Sequence, residues 1–175
     1  MRAGLFFIAV LALGATPVVA QGKTKGPATP QSVQVLEVCE KFATGDVLAV
    51  QDAMAKGWDA YAQDSETPYV QSFAGSKELP GLGTANLFAL IETYPNSTIG
   101  YCRVDVAEPT GDGNAAIQAI QNLDRYDGQS QQVSEGSFAS LTGRDDKNRL
   151  LLTHWSAESF VVQLSIITPK AVTAD

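Results

Sequence analysis

The sequence predicts an α+β domain: two N-terminal helices packed on an antiparallel sheet of five or six strands, in the order α-α-(β)-β-β-α-β-β-β. Three observations lead there. Apolar residues recur at helical spacing between Val35 and Trp58. They alternate with period two through Thr84–Val106 and Ser159–Thr168, as half-buried strands require. The links between neighbouring strands are short, which makes those strands antiparallel.

The chain opens with a targeting pattern. Arg2 supplies a positive charge, Leu5 to Leu13 an apolar run too short to span a bilayer, and Val18-Val19-Ala20 a small-residue cleavage site. Residues 1–20 are therefore expected to be a signal peptide, cleaved before Gln21. Residues 21–30 hold Lys23, Lys25, Gly26, Pro27 and Pro30 without apolar periodicity and read as a disordered leader. Residues 31–170 form a single domain, and residues 171–175 a frayed C-terminus.

Within the domain, Val35, Leu36, Cys39 and Phe42 share one face of a first helix that ends near Thr44-Gly45. Val47, Val50, Met54 and Trp58 predict a second helix over Val47 to Tyr61, and Asp46 is placed to cap it. Tyr69 to Phe73 is a candidate short strand. Gly75, Pro80, Gly81 and Gly83 then mark a loop, a place to look for a binding segment. Two strands follow, joined by a turn at Pro95-Asn96-Ser97. Leu87, Ala89 and Ile91 fall on one face of the first, and Phe88, Leu90 and Glu92 on the other. In the second, Cys102, Val104 and Val106 face one way and Tyr101, Arg103 and Asp105 the other. A third helix is expected over Asn114 to Tyr126, followed by a polar linker at Gln129 to Gln132. Three strands close the chain at Ser137–Thr142, Arg149–Trp155 and Ser159–Thr168. Each half holds an apolar strand pair, but no residue-level repeat connects them.

The two cysteines, Cys39 and Cys102, both lie on apolar faces. An exported chain favours their pairing, and closing so long a loop stabilises by roughly 4 kcal/mol in the chain-entropy account. One histidine and two distant cysteines lack the close ligand pairs of a zinc module, so no metal and no cofactor is expected. The full chain has a net charge of −7. Such acidity repels phosphate backbones, which argues against nucleic acid, and suits a cationic partner. No apolar run after residue 20 is long enough for a membrane helix.

No residue cluster demands a chemistry. His154, the only histidine, has no Gly-x-Ser-x-Gly elbow to serve and reads as structural. Glu92, Asp105, Glu108 and Asp112 are the carboxylates a glycosidase-type pair would draw on. The Asp145-Asp146-Lys147-Asn148 and Asp112–Asn114 clusters lack the calcium-loop spacing and fit turn chemistry. Trp58, Tyr61, Tyr69 and Phe73 form an aromatic group that could line a pocket, with core filling the simpler account. Tyr101 and Trp155 fall where they could serve a partner surface.

The expectation is a non-catalytic binding or inhibitor-type protein of the periplasm or extracellular space, with an unknown protein or small-molecule partner. The alternatives are an envelope hydrolase using paired carboxylates and a structural component of an envelope assembly. The last would expose an edge strand, with Ser159–Thr168 as candidate, or a large apolar patch.

Overall fold

The computed structural model describes residues 29–170. The expected signal peptide, most of the leader and the C-terminal residues 171–175 lie outside the described residues. The described chain forms three α-helices and one eight-stranded, fully antiparallel sheet. The helices are α1 (Gln31–Ala43), α2 (Ala49–Ala55) and α3 (Gly113–Gln121). The strands are β1 (Asp59–Gln63), β2 (Val70–Leu79), β3 (Gly83–Thr93), β4 (Ser97–Ala107), β5 (Tyr126–Val133), β6 (Gly136–Gly143), β7 (Arg149–Ser156) and β8 (Ser159–Pro169).

In space the strands run β1-β2-β3-β4-β8-β7-β6-β5. The chain thus lays down two helices and a four-strand meander, then one helix and a second four-strand meander, and the two meanders join through β4 and β8. Those two strands are equal in length, and Cys102 pairs with Leu164 at the middle of both. A local two-fold axis through that pair carries β4 onto β8 and β3 onto β7.

The expected sheet of five or six strands is corrected to eight, and for identifiable reasons. Gly57, with φ at 84°, ends the second helix early, so Asp59–Gln63 leaves it as edge strand β1. The segment expected as a loop after Phe73 continues as β2 through Leu79, because its backbone pairs with β3 from Val70↔Glu92 to Leu79↔Gly83. The third helix stops at Gln121, and the expected polar linker is β5, paired with β6 from Tyr126 to Val133. In both cases the pairing lies in the backbone, which a reading of side-chain pattern does not see. The closing strand β8 is central, between β4 and β7, so it is not an edge. The edges are β1 and β5.

The helices cover one face. α1 buries Val35, Leu36, Cys39 and Phe42 over β3, β4 and β8, while α3 buries Ile117 and Ile120 over β5, β6 and β7. The sheet side of this core is Ala85, Leu87 and Ala89 of β3, Val104 and Val106 of β4, and Phe160, Val162 and Leu164 of β8. The cysteines meet inside it: Cys39 and Cys102 form a disulfide with their Cα atoms 5.3 Å apart. At Gly100 the carbonyl of Ala43 sits where a Cβ would be, so only glycine lets the end of α1 approach β4 this closely.

Candidate functional site

Among the described residues, no helix lies on the opposite face of the sheet. Its composition follows from the register. Across the middle of the sheet one row reads Tyr61, Ala74, Phe88, Arg103, Gln163, Leu152 and Ser140. The next reads Gln63, Ser72, Leu90, Tyr101, Ser165, Leu150 and Thr142. A third holds Asn86, Asp105, Val161, His154 and Phe138. Seven of the twelve exposed large apolar side chains among the described residues lie on this face: Tyr61, Phe88, Val133, Phe138, Leu150, Leu152 and Ile167. Phe88 is 43% exposed, Leu150 42% and Leu152 38%. Single exposed apolar residues need no explanation, but these seven fall on one face of the sheet.

The face is organised about its centre. The local two-fold axis places Phe88 and Leu90 of β3 opposite Leu150 and Leu152 of β7, one pair on each flank of β4 and β8. Between these lobes Arg103 donates from Nε to both oxygens of Asp105, at 3.1 and 2.8 Å, and from Nη2 to Oδ1 at 2.6 Å. Its Nη1 donates to Gln163 Oε1 at 3.2 Å. The hydrogen bonds to Asp105 raise the Arg103 guanidinium above its ordinary range. Phe88 and Tyr101 lie with ring centroids 6.4 Å apart. The centre is therefore a neutral ion pair set between two apolar lobes.

The structure divides the aromatic residues singled out in the sequence. Tyr61 and Tyr101 stand on the open face, and Tyr69 is exposed just before β2. Trp58, Phe73 and Trp155 are on the helix side. Trp58 is buried, Phe73 packs on Phe42 at 5.3 Å, and Trp155 packs on Phe160 at 5.1 Å. His154 is exposed on the open face, opposite Phe138 and Val161.

Three of the four candidate carboxylates are locally engaged, and Glu108 is exposed. Asp105 holds Arg103, Glu92 accepts from the Tyr94 hydroxyl at 2.7 Å, and Asp112 caps α3 by accepting from Ala115 N–H at 3.1 Å. Asp146 likewise accepts from Asn148 N–H at 3.0 Å within its own turn. Among the described residues there is no group of three or more His, Cys, Asp or Glu side chains placed to hold a metal ion. No helix among them is long and apolar enough to cross a membrane.

Two features escape a reading of the sequence. Glu40 of α1 gathers three groups from the second half of the chain. Arg125 donates to it at 2.7 and 3.0 Å, the Tyr126 hydroxyl at 2.9 Å, and Arg149 stands 3.6 Å away. Burial, and then the Glu40 charge, push the Tyr126 hydroxyl well above the usual tyrosine range. The other is a cleft of about 280 Å³ between α3 and the β5–β6 hairpin, lined by amides and hydroxyls such as Asn114, Gln118, Ser130, Gln132 and Ser137. Glu40 carries no sequence signal, since its partners come 85 or more positions later. The apolar lobes do carry one: β3 is apolar on both faces, and helices on one side can cover only one of them.

Comparison with protein-family models, with curated proteins and with solved structures finds no match to this chain.

Proposed function

We propose that this chain is an exported, non-catalytic binding protein of the periplasm or extracellular space, and that the open face of its sheet is the binding surface. The observation that carries this reading is the concentration of exposed apolar side chains on that one face. Interface cores favour aromatic residues and arginine and disfavour unpaired charge, and Phe88, Tyr101 and the Asp105-bound Arg103 meet that description. Export is supported by the signal-like residues 1–20 and by the oxidised Cys39–Cys102 pair, since disulfides persist in oxidising compartments. The same uncovered face, with its exposed apolar side chains, is what a component of an envelope assembly would present, so the structural role is one form of this reading.

A photo-crosslinking amino acid placed at Leu152 in exported protein should give specific adducts. The same group at Asn122, exposed on the helix side, should not. Adducts from neither Leu152 nor Phe88 would sink the reading. Export itself is checked by N-terminal sequencing of the mature protein, which should begin at Gln21.

A further inference from the structure

We propose that the open face is occupied by a second copy of this chain, giving a two-fold dimer in which two eight-stranded sheets stack face to face. This rests on the open face being the binding surface and names what covers it.

Area is the first argument. Seven strands at about 4.8 Å spacing, crossed by three side-chain rows about 7 Å apart, give a face of roughly 700 Å². Stable pairs bury about 600–1,000 Å² per partner. The face is of the size a stable dimer uses, and sheets stack at about 10 Å when their facing side chains interdigitate.

Symmetry is the second. The Phe88/Leu90 and Leu150/Leu152 lobes lie symmetrically about the Cys102–Leu164 centre. A two-fold axis in the plane of the interface therefore lays apolar lobe on apolar lobe, whether it runs along the strands or across them. A partner with one apolar ridge would leave a lobe uncovered.

Charge is the third. The chain is acidic, at −7, so two copies repel over most of their surface. The centre of the open face is the exception. Arg103 is neutralised by Asp105 within each copy, so the centre brings no net charge into a stacked pair. Asp59, Glu78, Glu92 and Asp127 sit toward the ends and edges of the face, where they stay in water. This arrangement predicts a sign. Association is apolar at the centre and repulsive at long range, so added salt should strengthen it, whereas a cationic partner would be weakened.

Sedimentation equilibrium of the mature chain, residues 21–175, tests this. Between about 1 and 100 µM it should show a monomer–dimer equilibrium that tightens several-fold from about 50 to 500 mM sodium chloride. Phe88→Glu and Leu152→Glu should each leave a monomer with an unchanged far-ultraviolet circular dichroism spectrum. Phe88→Ser and Leu152→Ser serve if a charged variant fails to fold. A folded wild-type monomer at about 100 µM in both salts overturns the proposal, as does a dimer that survives both substitutions or that loosens with salt. If the chain is monomeric, adducts from Leu152 to a different protein leave the binding-face reading standing. Absence of any adduct removes both.

Discussion

The two halves of the molecule share a plan and differ in how their helices are fastened. In the first half, α1 has thirteen residues, eight of them buried, and is tied covalently to β4 through Cys39 and Cys102. In the second, α3 has nine residues and buries only Ile117 and Ile120 as side chains. Its edge strand β5, Tyr-Asp-Gly-Gln-Ser-Gln-Gln-Val, has one buried residue, Tyr126. α1 packs on β8 of this half as well, and here the added tie is polar rather than covalent: Glu40 reaches Arg125, Tyr126 and Arg149. Over one shared apolar core, the first half thus adds a covalent tie to α1 and the second half an ionic one. The ionic side should be the one that opens first.

The largest test of that contrast is to remove the covalent anchor. Cys39→Ser with Cys102→Ser, or reduction, should cost about 4 kcal/mol and lower Tm by on the order of 10 °C in a thermal melt. An unchanged Tm would mean that α1 is held by packing alone. The next test removes the ionic tie. Glu40→Gln leaves Arg125 and Arg149 without their carboxylate in a half-buried site, at a cost of about 1–3 kcal/mol. Hydrogen exchange should show faster opening of α3 and β5 while β3 and β4 keep their protection. Uniform acceleration across the sheet would deny that the halves are fastened separately.

The smallest effect is a pH dependence at the corner of the second half. Asp127 accepts from Arg144 at 2.9 Å, and that hydrogen bond holds its carboxyl below the ordinary aspartate value of 3.8. A carboxyl depressed in the folded state contributes stability above its unfolded pKa and loses it as pH falls through the folded value. The contribution should therefore be present at neutral pH and fade below about pH 4. In an NMR titration Arg144→Gln should move the Asp127 midpoint back up. A midpoint that does not move would separate Asp127 from Arg144 in solution.

The contrast also explains what could be read from residues alone. β4 and β8 announce themselves because buried apolar residues recur in them with period two, and β3 because its apolar run Leu87–Ile91 is short and bounded by turn residues. α1 does so because Val35, Leu36, Cys39 and Phe42 repeat at helical spacing. β1 and β5 do not, because an edge strand owes its existence to backbone hydrogen bonds with a neighbour, and its side chains can be polar throughout. β2 was hidden by Gly75, which reads as a turn but sits in mid-strand against Ala60.

By itself, then, the sequence determined the antiparallel hairpin of β3 and β4, the helix that faces it and the pairing of Cys39 with Cys102, since each depends on local periodicity and on where apolar side chains point. Only the tertiary structure decided that β8 lies beside β4 at the centre, that Glu40 serves partners more than eighty residues away, and that both lobes of apolar side chains share one uncovered face. Those facts depend on which strands meet. That is settled by backbone pairing and closure of the whole sheet, over separations at which side-chain periodicity carries no information.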